Sequence, residues 1–293
     1  MDGESGIAFS KMNGLGNDFV VIDARAWRVA LDSEAVRRIA ARGAGIGCDQ
    51  VIRLEPDAGA DAFMRIWNGD GGEVDACGNA TRCIAWRLMQ ESGARKVRIA
   101  TNAGVLVCTP GPRPMTVSVD MGAPRFSWQE IPLAEPFADT RMIELHVGPA
   151  DAPQLHSPSV VNIGNPHCIF WVEDVEAHDL ARLGPLLEHH PLFPERANIS
   201  LARVTSRDAI TLKVWERGAG LTRACGTAAC AAAVAAARRR LTGRTVTVSL
   251  PGGALDIAWR EDDHVVMTGP VAVEFDGIIP AALLGAAAAE PAR

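Results

Sequence analysis

The chain has 293 residues, 48% of them apolar and 22% charged, a balance that builds folded domains with their own cores and excludes a disordered or fibrous polypeptide. Its net charge of −6 offers no basic face to nucleic acid, and no run approaches the roughly 20 apolar residues that cross a bilayer as a helix. The start, MDGESGIAFS, lacks an apolar signal region, and the seven cysteines do not space as a small disulfide scaffold, so a cytoplasmic protein with reduced thiols is expected.

In chain order, Gly16-Asn17 leads into an expected strand at Phe19–Ile22. A helix follows from a cap at Asp32 or Ser33 to about Arg42, with Val36, Ile39 and Ala40 on one face. Strands are expected near 51–54 and 63–67. A second helix opens just after Cys77 and runs to about Glu91, where Ser92-Gly93 stops it. Strands near 96–101, 105–109 and 115–120 complete a first half. The proline-rich stretch 124–158 reads as the connection between halves. Beyond it come a strand at Cys168–Val172, a helix near 176–189, and strands near 199–204 and 210–215. An alanine-rich helix then runs from Gly226 to Leu241, ended by Gly243, with Arg238-Arg239-Arg240 as its basic last turn. Strands near 245–250, 254–259 and 264–268 close the second half. Val271–Phe275 is expected to pack back on the first half, and the tail after Leu284 to fray.

The two halves repeat one another. FMRIWNGDGGEVDACGN (Phe63 to Asn79) aligns without a gap on TLKVWERGAGLTRACGT (Thr211 to Thr227), at a shift of 148 residues. The same shift carries Gly16-Asn17 onto Gly164-Asn165, Gln50 onto Asn198, Asn68 onto Glu216, Lys96 onto Arg244 and Gly104 onto Gly252. The expected architecture is therefore α+β. It has two pseudo-symmetric homologous domains, each a mixed, mostly antiparallel sheet or barrel wrapped around a central helix. The first is residues 1–124, with 271–293 returning to it; the second is 125–270.

Cys77 and Cys225 sit at matching positions where helices begin. There the first backbone N–H groups lack intrahelical partners, and the dipole favours negative charge. A thiol so placed is expected to ionise more readily than its usual value of about 8.5. The N–H groups of Gly78-Asn79 and Gly226-Thr227 are expected to receive a carboxylate. A carbon acid between two such thiols could lose a proton on one face and regain one on the other, which inverts the centre with neither cofactor nor metal. Cys48, Cys83, Cys108, Cys168 and Cys230 read as core packing.

These residues, with KMNGLGNDFVVID, NGDGGEVDACGNATR, NIGNPHC, FPERANIS and ERGAGLTRACGTAAC, make the chain resemble the diaminopimelate epimerase family over nearly its whole length. The resemblance implies interconversion of LL- and meso-diaminopimelate for lysine and peptidoglycan synthesis, with Cys77 and Cys225 as the thiol pair. It implies α-carboxylate binding at Gly78, Asn79, Gly226 and Thr227, and further substrate contacts at Asn17, Gln50, Asn68, Asn165, Asn198, Glu216 and Arg217. His167 and Glu216 match residues the family uses near the thiols. Departures include Asn13 where the family has His, and GLTR where GET is usual. Phe275 stands where some relatives have a Tyr that joins subunits; a homodimer is expected. Two rivals remain open on sequence. One is another amino-acid racemase on the same fold, of proline, hydroxyproline or histidine type. The other is a thiol metal- or redox-binding protein using Cys77, Cys83, Cys225 and Cys230, whose spacings are longer than those of usual zinc sites.

Overall fold

The computed structural model describes residues 6–149, 151, 153–285 and 289–291. The chain divides into two compact units, one of Met1–Val119 with Gly269–Arg293 and the other of Asp120–Thr268.

In the first unit, β1 (Ile7–Gly14) and β2 (Asn17–Asp23) form a hairpin and β3 (Trp27–Val29) leads to α1 (Ser33–Ala40). Next come β4 (Gln50–Glu55), β5 (Ala62–Asn68), the short β6 (Glu73–Val74) and α2 (Gly78–Ser92). β7 (Val97–Thr101), β8 (Gly104–Pro110) and β9 (Thr116–Asp120) follow. In the second unit the order is β10 (His146–Val147), β11 (Leu155–His156), β12 (Ser159–Asn162), β13 (Pro166–Trp171) and α3 (Leu180–Glu188). It continues with β14 (Asn198–Ser206), β15 (Ala209–Glu216), β16 (Gly220–Thr222) and α4 (Gly226–Arg238). β17 (Thr245–Leu250), β18 (Gly253–Trp259) and β19 (Val265–Pro270) end this stretch, before β20 (Ala272–Ile279), α5 (Ala281–Leu284) and β21 (Ala289–Pro291).

Each unit has the same mixed sheet. In the first, β1–β2, β4–β5 and β7–β8 pair antiparallel, while β2–β4 and β5–β7 pair parallel. In the second, β12–β13, β14–β15 and β17–β18 pair antiparallel, while β13–β14 and β15–β17 pair parallel. Registers repeat as well: Phe19 faces Gln50 as His167 faces Asn198, and Val51 faces Trp67 as Ile199 faces Trp215. The fold is thus α+β with two repeated sheets. Each wraps a helix: α2 packs on β1, β7 and β8, and α4 packs on β12, β13, β14, β15, β17 and β18.

The helix sequences suit that enclosure. α4 is buried from Ala228 to Ala236 on every side, as a helix apolar all round requires. α2 buries Ala80, Cys83, Ile84 and Leu88, together with Arg82. A buried cation needs hydrogen-bond acceptors; the Arg82 guanidinium donates to Asn79 Oδ1 at 2.9 Å.

Several boundaries depart from the expectations. α3 starts at Leu180, later than expected, because the Asp179 carboxylate caps it by accepting from Arg182 N–H at 3.2 Å. α4 stops well before Gly243: Arg238 and Arg239 lie over the rings of Phe126 (4.0 Å) and Trp171 (5.6 Å), and Arg240 turns to φ 60°. The shift of 148 slips by one at the last hairpin. Gly104, at φ +125°, faces Thr101, whereas Gly253, not Gly252, faces Leu250 at φ +138°. The stretch 124–158 is more than a connection, since Ile131, Leu133, Ile143, Leu145 and Leu155 are buried in the second unit's core. β20 runs past Phe275 and pairs antiparallel with β1 from Ile7–Ile279 to Asn13–Ala272. Of the tail, residues 286–288, 292 and 293 lie outside the described residues, and Ala289–Pro291 does not fray but pairs with β3.

Candidate active site

Each unit brings its chemistry together at a hairpin turn followed by a helix start. The β5–β6 turn closes with Gly71 N–H donating to Asn68 O at 2.9 Å, and the β15–β16 turn with Ala219 N–H donating to Glu216 O at 3.1 Å. Gly71 has φ +87°, and a Cβ there would stand 2.6 Å from Ser33 O, so only glycine fits. A few residues later the chain reaches Cys77 and Cys225. Both are N-cap residues with extended backbone (φ −147°, ψ 110° and φ −132°, ψ 112°), and neither helix end is closed by a cap side chain. Gly78 and Gly226 are the first helical residues, so the N-terminal end of each helix is presented beside a thiol.

Around Cys225 the second unit collects Glu216, Thr222 and Thr227. Cys225 is 4% exposed. Its Sγ lies 3.5 Å from Thr227 Oγ1 and also bonds the Glu216 side chain. Glu216 in turn accepts from the Thr222 hydroxyl, its diagonal neighbour across the β15–β16 hairpin. Burial pushes the Cys225 thiol well above its ordinary value and the adjacent Glu216 carboxylate pushes it further; Thr227 and the Ala228 N–H oppose them. Burial likewise raises Glu216, against hydrogen bonds from Thr222 and Cys225. The expected acidic thiol is therefore corrected at this position. Helix-start stabilisation is present, but desolvation beside a carboxylate outweighs it, and Cys225 rests as the protonated thiol.

Cys77 has a different neighbour. In the first unit its Sγ donates to Asn17 Oδ1 at 3.6 Å, and the Asn17 Nδ2 donates to Asp49 Oδ2 at 3.1 Å. Gln50 Nε2 donates to Asn68 Oδ1 at 2.9 Å, leaving the buried Gln50 Oε1 without a partner among the described residues. Asn79 is 3% exposed and tied to Arg82.

The remaining residues named from sequence lie together in the second unit, but not all present free polar groups. Asn198 is 2% exposed; its Nδ2 donates to Pro166 O at 2.9 Å and its Oδ1 accepts from Arg217 N–H at 2.9 Å. It fixes the chain on both sides of the site, and its amide keeps one N–H and one oxygen lone pair beyond these two bonds. The Arg217 guanidinium donates to Glu195 O at 2.9 Å and its residue is exposed. His167 Nε2 lies 2.7 Å from Asn165 Oδ1, which fits an N–H donor at Nε2 and leaves the buried Nδ1 as an unpaired acceptor. Burial, and after it the positive charge of Arg217, pulls His167 down to about 3, so the imidazole is neutral.

Three supporting residues escaped the sequence reading. Thr222 holds Glu216, Asp49 holds Asn17, and Glu188 accepts from Trp215 Nε1 at 2.7 Å and from Gly218 N–H at 3.0 Å, fixing the turn that carries Glu216 and Arg217. Asp49 adjoins Gln50 in sequence and Thr222 sits in the departing GLTR loop, but nothing in either position alone signals a partner. Among the described residues, no group of three or more His, Cys, Asp or Glu is arranged to hold a metal ion, and no helix is long and apolar enough to cross a membrane.

Comparison with known proteins gives the same outline. The family profile described as diaminopimelate epimerase matches residues 9–127 and 159–274. A diaminopimelate epimerase of Afipia carboxidovorans is 57% identical over 284 residues, covering 96% of this chain and 98% of that protein. One of Nitrobacter hamburgensis is 55% identical with the same coverages, 96% and 98%. Among solved structures, a phenazine biosynthesis protein of the PhzF family from Bacillus anthracis superposes with TM-score 0.66 at 15% identity, covering 94% of this chain and 99% of its own. A hydroxyproline epimerase from Agrobacterium vitis superposes with TM-score 0.65 at 14% identity, covering 96% and 94%; these two likenesses establish the fold alone. The two repeated sheets, the paired cysteine caps and the match along both halves have one common explanation: the chain belongs to the diaminopimelate epimerase family.

Proposed function

We propose that this protein epimerises LL-2,6-diaminopimelate to meso-diaminopimelate by a two-base thiol mechanism, serving lysine and peptidoglycan precursor synthesis. The observation that carries the reading is the pair of N-cap cysteines at matched positions of the two repeats, in a chain 57% identical to a diaminopimelate epimerase. Inversion needs a base on one face of the α-carbon and an acid on the other. One thiolate takes the α-proton, the electron pair of the broken C–H bond passes into the α-carboxylate, and the second thiol returns a proton to the other face of the carbon. The thiols exchange protonation states, and charge is conserved. The N–H groups at Gly78, Asn79, Gly226 and Thr227 stabilise the charge that grows on the carboxylate.

The surroundings of Cys225 support its part as the resting acid. Glu216 and burial keep Cys225 protonated, ready to donate. Neutral His167 offers its bare Nδ1 as an acceptor for a substrate ammonium N–H. Asn17, Gln50, Asn68, Asn165 and Arg217 would meet the distal amino-acid end, with Arg217 as the carboxylate fork; Asn198 positions Arg217. The reaction as drawn requires no cofactor. The reading places the enzyme in the cytoplasm as a homodimer, and the exposed Val273, Phe275 and Ile278 of β20 support an apolar subunit contact.

The test is proton NMR in D2O with LL- and meso-diaminopimelate, beside proline, hydroxyproline and histidine. Enzyme-dependent α-deuteration of diaminopimelate with inversion, the inversion abolished in both Cys77→Ala and Cys225→Ala, is the expected outcome. Exchange on proline or histidine alone, or a single cysteine variant with full inversion, would overturn it.

A further inference from the structure

The first unit contains a charged network that ends at Cys77 and has no counterpart in the repeat. Lys11 Nζ donates to Asp18 Oδ2 at 2.6 Å, with side chains only 5% and 12% exposed. Arg42 donates to Asp18 Oδ1 at 2.9 Å and to Asp49 Oδ1 at 2.7 Å. Asp49 Oδ2 accepts from Asp18 N–H at 3.1 Å and from Asn17 Nδ2 at 3.1 Å, and Asn17 Oδ1 then accepts from the Cys77 thiol at 3.6 Å.

Chemistry orders this chain. A carboxylate only accepts, and the two Asp49 oxygens meet three donors: Arg42 Nη2, Asp18 N–H and Asn17 Nδ2. Asp49 therefore forces the Asn17 amide to point its nitrogen at the carboxylate and its carbonyl at the sulfur. At the equivalent positions of the second unit Asp18 becomes Pro166 and Asp49 becomes Ala197, yet β13 and β14 pair in the same register as β2 and β4. The strand pairing does not need the network. We propose that Asp49 is a positioning residue: by locking the Asn17 amide it presents a hydrogen-bond acceptor to Cys77 and sets that thiol's readiness to ionise. This rests on Cys77 being one of the two proton-transferring thiols.

Asp49→Ser is the informative change, with Asp49→Asn as the conservative control. The one oxygen left by Asp49→Asn can still accept from Asp18 N–H and Asn17 Nδ2, with its NH2 on the side of the exposed Arg42. A serine side chain is too short to hold the Asn17 Nδ2, so the Asn17 amide can flip and offer an N–H to the sulfur. A donor stabilises the thiolate, where the carbonyl favoured the thiol. The other charged or titratable groups on this face include Lys11 on β1, Asp18 on β2, Arg42 after α1, and Arg82 and Cys83 on α2, none of which the substitutions replace.

The experiment measures Cys77 alkylation by iodoacetamide against pH in a Cys225→Ala background, with circular dichroism for folding. Asp49→Ser, which leaves the Asn17 amide free to turn, is expected to lower the midpoint by about one pH unit, and Asp49→Asn, which removes the charge but keeps an acceptor on Asn17, to lower it by less. Removing the Asp49 charge alone would act in the same direction, so the comparison is repeated with Asn17→Ala. There the difference between Asp49→Ser and Asp49→Asn should disappear. Equal midpoints in the two folded Asp49 variants, or a difference between them of the same size with and without Asn17, overturns the proposal. Because the readout is thiol titration rather than turnover, it stands apart from whether diaminopimelate is inverted.

Discussion

At the scale of single residues, the two thiols are equivalent by descent and unequal by environment. Cys225 shares its burial with Glu216, so replacing the carboxylate by an amide removes one of the two forces that hold the thiol protonated. Glu216→Gln should move the alkylation midpoint of Cys225 downward while slowing inversion by about a hundredfold or more, the scale on which a positioned acid–base group acts. A midpoint that stayed put would mean burial alone governs Cys225. His167 supplies a second case, with a sign that can be worked through. Its folded value of about 3 lies below the unfolded value of about 6.5. Above about pH 6.5 both states carry neutral imidazole and the contribution is constant. As pH falls toward 3 the unfolded chain binds a proton that the buried ring refuses, and stability is lost at up to about 1.4 kcal/mol per pH unit. Urea unfolding from pH 7 to 4 should show a shallower fall in His167→Gln than in the parent; parallel curves would exclude His167 as the source.

At the scale of elements, α3 illustrates how a helix remote from the thiols sets the site. Gly184 lies on the face of α3 against Trp215, and a Cβ there would stand 2.4 Å from the indole ring. Helix propensity favours alanine by about 1 kcal/mol, but a ring pinned by its hydrogen bond to Glu188 cannot yield freely, and overpacking costs about 1–3 kcal/mol. Gly184→Ala is expected to lower the melting temperature by several degrees. It should also raise KM more than it lowers kcat, because Glu188 holds Gly218 beside Arg217 as well. A variant with an unchanged melting temperature and KM would show that α3 can shift away at no cost. The starts of α1, α2 and α4 were legible in the sequence, since capping and apolar periodicity are local, whereas α3 was expected to begin several residues before its cap at Asp179. The end of α4 was not: Arg240 takes a left-handed backbone because its neighbours rest on Phe126 and Trp171, a tertiary contact with no local signature. The buried apolar residues of 124–158 were hidden for a similar reason, because a proline-rich stretch without periodicity reads as connection even where it fills a core.

For the whole chain, duplication made the architecture readable. A constant shift records common descent, and common descent preserved strand order, register and the two cysteine caps. It does not record hydrogen bonds acquired after duplication, so Asp49 beside Asn17 and Thr222 beside Glu216 had to come from the structure. The repeat also leaves the first unit composed of both chain ends. β20 pairs along β1, and Ile279 and Leu284 enter a core with Phe9, Val20, Ile22, Val36 and Ile39. A chain ending at Val271 would lose those two buried side chains, at about 1.5–3 kcal/mol each, and would expose the β1 edge to aggregation. Set against a domain stability of about 5–15 kcal/mol, with the β1–β20 hydrogen bonds lost as well, that is enough to unfold the unit. The truncated chain should be recovered insoluble, or should lack the thermal transition of the first unit. One ending at Gly285 should keep both. If the chain ending at Val271 melted as the full chain does, β20 would be an accessory strand, and the core of the first unit would be complete without it.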